Sequence, residues 1–493
     1  MGKIKKIFAL LLILSLLIPV TGCSKPEDAY IYFELPSPPL TLDPQIASGD
    51  SELLIIKNIH EGLLRKDADG KIVCGIAESY EKSELTYTFK LRKNAKWSNG
   101  ENITAHDFVF ALRRAVNPET KAPFVSRLLC ISGADAVNNG TASPDSLGVT
   151  AKNDKTLTIT LARDDNLFEE TLTTSVAMPC NEKFFYNSAG KYGIFADNIL
   201  SSGSYTLTRW RKETFGIRLY RNQEYSGFAK AENAAVFITC DTKEPALTKL
   251  EKNSIDMAFI DAALIDEAHS LSLKTEEFQN ICWLLTLNND FSQNMRKSLA
   301  MLVGGEVFAK DLPSGYCAAT SLFPDALNTN SNLTGMTVYD LNTAKQLYLN
   351  ELERLPDKKF PADVVLYYYD DGNVKNIVTD IVGHWQSQLS AFVNIESVSQ
   401  SSRLQEQITE QSYKMAIFPI KADSSNITEY LKKFGKTYNG EDLTTVQTEL
   451  LKSNNIVPVM FQSTVIAYSP ALTNVYAELG NGYIDFAYII KQE

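Results

Sequence analysis

The stretch 85–120, LTYTFKLRKNAKWSNGENITAHDFVFALRRAVNPET, constrains the fold most, because its hydrophobic period changes partway along. Leu85, Tyr87, Phe89 and Leu91 alternate with Thr86, Thr88, Lys90 and Arg92, which predicts a strand with one apolar face. Ser98-Asn99-Gly100 supplies turn residues. Thr104 is followed three positions later by Asp107, so a hydroxyl cap and a first-turn carboxylate can satisfy the free amides of a helix whose stripe is Phe108, Leu112 and Ala115. Strand, turn and amphipathic helix in that order describe a packed α/β subdomain, and the rest of the chain mixes strands and helices throughout. Residues 157–161, 205–207, 217–219 and 236–238 read as strands, the middle two as a hairpin. Pro245 opens a helix with Leu247 and Leu250 inward, and Asn253 ends it, being tolerant of the left-handed conformation. Residues 364–369 form an apolar strand, Asp370-Asp371-Gly372 turns, and Val374, Ile377, Val378, Ile381, Trp385 and Leu389 line one helix face.

The chain has 493 residues, enough for roughly three domains, with no internal repeat or low-complexity segment. Lys3, Lys5 and Lys6 precede an uncharged run, 7–20, that ends in Val20-Thr21-Gly22-Cys23. Basic flank, short apolar core and small residues predict an export signal over 1–22. The final four residues resemble a bacterial lipobox, which implies Cys23 as a lipidated first residue followed by a tether, 23–28. Two acyl chains, at about 0.8 kcal/mol per buried methylene, suffice for stable anchoring. The whole chain carries 48 basic and 59 acidic residues, a formal charge of −11, and loss of the three leader lysines takes it to −14. That charge disfavours nucleic acid as a partner. Cys74, Cys130, Cys180, Cys240, Cys282 and Cys317 are widely spaced without a Cys-x-x-Cys pair, so they are expected to be mainly buried free thiols; one disulfide of unreadable pairing stays open.

Enzyme signatures are weak. His60-Glu61 begins like a zinc-protease helix, but Leu64 occupies the place of the second histidine. Asp67-Ala68-Asp69-Gly70 lacks the third ligand and distal glutamate of a calcium loop, and an ordinary turn explains it. There is no nucleophile elbow, phosphate loop or dinucleotide fingerprint, and His106, His269 and His384 lie far apart. The expectation is no catalytic residues, no metal and no cofactor.

Several words of the sequence resemble the bacterial extracellular solute-binding family 5: Ala95-Lys96-Trp97-Ser98-Asn99-Gly100, Thr104-Ala105-His106-Asp107-Phe108-Val109 and Asn117-Pro118-Glu119-Thr120, with Leu42-Asp43-Pro44, Gly75-Ile76-Ala77-Glu78-Ser79-Tyr80, Gly203-Ser204-Tyr205 and Ile456-Val457-Pro458-Val459 in family order. The likeness is strong to about Asp261 and looser beyond. It implies a periplasmic-binding-protein-like type II clamshell of α/β class, two lobes plus an extra N-terminal subdomain. Lobe I would comprise 29–55, 176–277 and 463–493, the extra subdomain 56–175, and lobe II 278–462. The chain would cross between lobes near 284–289 and 459–464, making a hinge.

The resemblance further implies capture of oligopeptides between the lobes and delivery to an ABC permease whose ATPase subunits hydrolyse ATP. The protein would act as a monomer held outside the cytoplasmic membrane by its lipid. Another solute (a dipeptide, sugar, opine or nickel complex), or peptide sensing or a chaperone role, stays open. Ser48, Gly49 and Asp50 correspond to the segment that pairs with ligand backbone, Phe124 to an aromatic wall, and Asp423 to the carboxylate that holds the ligand's α-amine. The chain departs from the family at Phe124, where a tyrosine is usual, and at Ile420, Lys414 and Val303-Gly304-Gly305. The stretch 432–448 is also short.

Overall fold

The computed structural model describes residues 30–211, 216–239, 244–303, 312–327, 329, 336–398, 413–422, 426–438, 440–477 and 483–492. Two long antiparallel strands, Lys274–Leu287 and Ile456–Tyr468, pair along nearly their whole length, from Lys274 opposite Tyr468 to Thr286 opposite Ile456. They sit at the middle of a continuous mixed sheet. On one side Ile456–Tyr468 pairs through its C-terminal half with Met257–Ile260, which is followed by Tyr30–Leu35 and Ala234–Thr239 in parallel, then the hairpin Gly216–Arg221 and Tyr205–Arg211. On the other side Ile281–Leu287 pairs with Met415–Lys421, flanked by the parallel strands Val365–Tyr369 and Asn394–Val398.

The ladder slips at two places, between Gln279 and Ile281 and between Trp283 and Leu284. Asn280 is thereby left out of the pairing, and its carbonyl instead accepts from the amide of Ala422 at 2.7 Å while its side chain accepts from the Thr464 hydroxyl at 2.8 Å. A bulge of this kind bends a strand and changes its twist. The long strand gains its second neighbour, Met415–Lys421, only beyond this point. Pro419 and Pro458 fit into the sheet because each stands where its strand has a neighbour on one side only.

Separate apolar cores lie around this sheet. One packs the helix Asp50–Ile59, through Leu54, Ile55 and Ile59, against Ile31, Phe33, Phe237 and Phe486. A second covers one face beyond the bulge with Trp283, Leu285, Ile417 and the helix Val374–Leu389, whose buried residues are the six expected from periodicity. A third covers the opposite face with Leu284, Phe418, Phe323 and Tyr430. The fourth belongs to a separate four-stranded sheet, in spatial order Ala77–Ser83, Thr86–Leu91, Thr156–Thr160 and Val149–Asn153, packed on the helix Ala105–Val116. There the expected strand-turn-helix is present. Tyr87, Phe89 and Leu91 are buried, Gly100 takes φ +86°, and Thr104 and Asp107 form the capping box, with the Asp107 carboxylate accepting from the Thr104 amide at 2.7 Å.

Buried ion pairs fasten this unit to the first core. Arg114, on its helix, grips both oxygens of Asp43 and donates to Gln45 at 2.9 Å, with the Phe185 ring under the guanidinium. The Leu-Asp-Pro word is thus a docking point. Gly193 serves it too: its φ is +71°, its carbonyl accepts from the Leu42 amide at 2.7 Å, and a Cβ there would lie 2.4 Å from the Asp43 nitrogen. Nearby, Glu61 takes hydrogen bonds from Arg65, Arg92 and the Tyr225 hydroxyl, and Arg65 also reaches Asp485 at 2.6 Å. The adjacent His60 is buried with no charged partner in hydrogen-bond contact, and burial pushes its imidazole down to about 3.

Two outcomes follow. Asp43→Ala leaves the Arg114 charge buried and unpaired, so denaturant unfolding should show a loss of about 3–5 kcal/mol, whereas exposed Lys71→Ala should change little. His60 must stay neutral in the folded chain but is free to protonate when unfolded, so its folded pKa is depressed and stability falls as pH drops below about 6.5. Between pH 7 and pH 5 wild type should therefore lose about 2 kcal/mol more than His60→Gln in paired denaturation curves, and equal losses would refute the buried neutral imidazole.

Candidate functional site

Residues 48–50 form the entry to the helix Asp50–Ile59. Gly49 is extended at the cap position, Ser48 and Asp50 are exposed, and Asp50 and Glu52 place carboxylates in the first turn, where the helix dipole favours them. Glu52 folds back and accepts from the Leu40 amide at 2.8 Å, and a Cβ on Gly49 would come within 1.9 Å of its other oxygen. The glycine thus makes room for a carboxylate of its own chain. Asp50 turns the other way, and its Oδ2 meets Nζ of Lys421 at 2.7 Å.

Lys421 is the last residue of the strand Met415–Lys421, in which Met415 and Ile417 face one core and Ala416, Phe418 and Ile420 the other. Ile420 is buried and lines a hollow of about 570 Å³ with Tyr413, Phe418 and Phe434. Past the strand, Ala422 is tied to Asn280, and Asn426 caps the helix Ile427–Lys432 by accepting from Thr428 and Glu429 amides. Asp423 falls between these anchors, outside the described residues, as do Cys23, Cys240, Gly304 and Gly305.

Phe124 is half-buried and touches both the core of the four-stranded unit and that of the helix Asp50–Ile59, with the Arg127 guanidinium 5.2 Å from its ring centre. Two residues on, the Ser126 hydroxyl donates to Glu429. The neighbourhoods of Asp50 and Lys421, and of Phe124 and Glu429, therefore meet at two polar contacts, each across more than 300 positions of sequence. Lys421, Ser126 and Glu429 were not singled out by sequence reasoning. No periodic pattern marks them, since their partners are set by how the cores face one another.

The remaining motifs have structural explanations. Asp67 Oδ1 accepts from the amides of Asp69 and Lys71 in a plain turn. Lys414 pairs with Asp363 at the surface, and Arg296 donates to the carbonyls of Phe291 and Ser453. His106 is exposed near Asp154, His269 bonds to Thr275, and His384 neighbours Tyr339. Among the described residues no group of three histidine, cysteine, aspartate or glutamate side chains is placed to hold a metal, and no helix is long and apolar enough to cross a membrane. Cys74, Cys130, Cys180, Cys282 and Cys317 are free thiols, and burial pushes those of Cys130 and Cys180 up to about 12.

The chain is similar along most of its length to known proteins. The oligopeptide-binding protein OppA of Bacillus subtilis is 26% identical over 423 residues, covering 82% of this chain and 77% of the relative. The periplasmic oligopeptide-binding protein OppA of Escherichia coli is 35% identical over 225 residues, 44% of this chain and 40% of the relative. In fold, Haemophilus influenzae OppA, solved in complex with RPPGFSPFR, superposes with a TM-score of 0.75 at 21% identity, over 95% of this chain and 99% of that one. The clamshell α/β architecture is therefore shared. Residues 71–442 match the family described as bacterial extracellular solute-binding proteins, family 5 Middle. The chain belongs to the bacterial extracellular solute-binding proteins of family 5.

Proposed function

We propose that the chain is a lipid-anchored receptor that captures oligopeptides outside the cytoplasmic membrane and passes them to an ABC permease. The observation that carries this reading is the family match across 71–442, in company with relatives named as oligopeptide- and dipeptide-binding proteins. Lobe I comprises 29–55, 176–277 and 463–493, lobe II 278–462, and the extra subdomain 56–175. The bulge at Asn280, beyond which the long strand gains Met415–Lys421 as a second neighbour, supports a hinge close to the crossing near 284–289. Ligand that touches both lobes only when they are closed stabilises the closed state by its differential affinity.

In the cleft, the backbone at 48–50 pairs with an extended ligand, Phe124 walls it, and Asp423 accepts the α-ammonium. A buried ammonium needs a charged acceptor, and a charge-assisted bond is stronger than a neutral one. The placement of Ala422 and Asn426, on either side of Asp423 and close to the Lys421–Asp50 contact, is consistent with that role. Cys23 bears the lipid.

Calorimetry tests the anchor with a peptide, its N-acetylated form, wild type and Asp423→Asn. Either change alone should cost roughly 2–5 kcal/mol, and both together little more than one, because they remove the same interaction. Additive losses, or none, reject Asp423 as the anchor. For the leader, Cys23→Ser should abolish acyl labelling and leave a poorly processed precursor; a variant that is still cleaved and partitions to membranes as wild type does rejects the lipid anchor.

A further inference from the structure

Beyond the bulge, the parts on either side of the cleft also touch directly. Asp50 opens a helix seated in the core of Phe33 and Phe237, while Lys421 ends a strand seated against Tyr430 and Trp283 neighbours, and their charges meet at 2.7 Å. Ser126 lies in the turn Val125–Leu128 of the four-stranded unit and gives its hydroxyl to Glu429 of the helix Ile427–Lys432. Leu167, next to Phe168 of that unit's core, packs onto the cluster that holds Leu322, Phe323 and Tyr430. A hinge at Asn280 alone would require none of these contacts.

We propose that they form a built-in latch, in which lobe I and the extra subdomain each clasp lobe II so that the protein supplies part of its own closing free energy. The inference rests on the clamshell reading above. Its consequence for binding is that a ligand need contribute less to closure, which suits a receptor that accepts varied sequences: the cleft closes through contacts that do not depend on ligand side chains. The two polar contacts differ in kind. Asp50 and Lys421 are both partly exposed, with side chains 47% and 26% accessible, so salt screens that pair. The Ser126–Glu429 bond is half-buried and involves one charge, so it is less sensitive to salt. The extra subdomain thereby acquires a role in the motion itself, as a second arm reaching lobe II.

Small-angle scattering on protein freed of ligand by unfolding and refolding tests this, using wild type and the double variant Lys421→Met, Ser126→Ala, with a tryptic digest of casein as the added probe. Wild type should be compact at about 50 mM salt and expand at about 500 mM, where exposed pairs are screened. The double variant should be expanded at both, its closed-to-open ratio lowered roughly tenfold or more, and the digest should compact every sample that is expanded without it. Equal radii for ligand-free wild type and variant, with compaction by the digest intact, overturn the latch but leave the hinge. No change under any condition overturns the hinge, and the latch with it.

Discussion

The ladder between Lys274–Leu287 and Ile456–Tyr468 is shared by both halves of the main sheet, and the slip at Asn280 decides how those halves relate. Upstream of the slip, Ile456–Tyr468 continues the sheet through Met257–Ile260; downstream, Lys274–Leu287 continues it through Met415–Lys421. Regular pairing through this point would hold the sheet as one stiff slab. Asn280 instead spends its hydrogen bonds on Ala422 and Thr464, which places a polar, fully buried joint where two cores part. Leaving such groups unsatisfied inside the fold would cost about 1–3 kcal/mol each, so the bulge is held in place by what it binds.

The other organising device is charge buried at a seam. Arg114 on Asp43, and Arg65 on Asp485, join the four-stranded unit to its neighbour. Such pairs add little net stability over apolar packing, yet they penalise any arrangement that separates the partners. This ties the unit to the core of the helix Asp50–Ile59, so that Ser126 and Leu167 meet Glu429 and the cluster of Phe323 and Tyr430 from a firm base.

Local elements were legible because period and caps are local. The alternation from Leu85 to Leu91, the Thr104–Asp107 box, the Pro245 start with Asn253 at φ +55°, and the six-residue stripe from Val374 to Leu389 all stand as the sequence predicts. The fold class was legible through word order. The joints were not. Asp43 reads as part of a family word, but its partner Arg114 sits on the polar side of an ordinary amphipathic helix, and nothing local ties the two. Likewise Gly49 reads as part of a ligand-pairing segment, and nothing local announces that the Glu52 carboxylate of the same turn packs beside it. Asn280 interrupts no pattern, because a bulge leaves the hydrophobic alternation on either side intact.

Capture of peptides is the central functional claim, and the cargo can be read directly. Mass spectrometry of material released by denaturing the protein purified from its native host should find a mixture of short peptides of varied sequence with free α-amino groups. A single non-peptide solute released in stoichiometric amount would contradict the account.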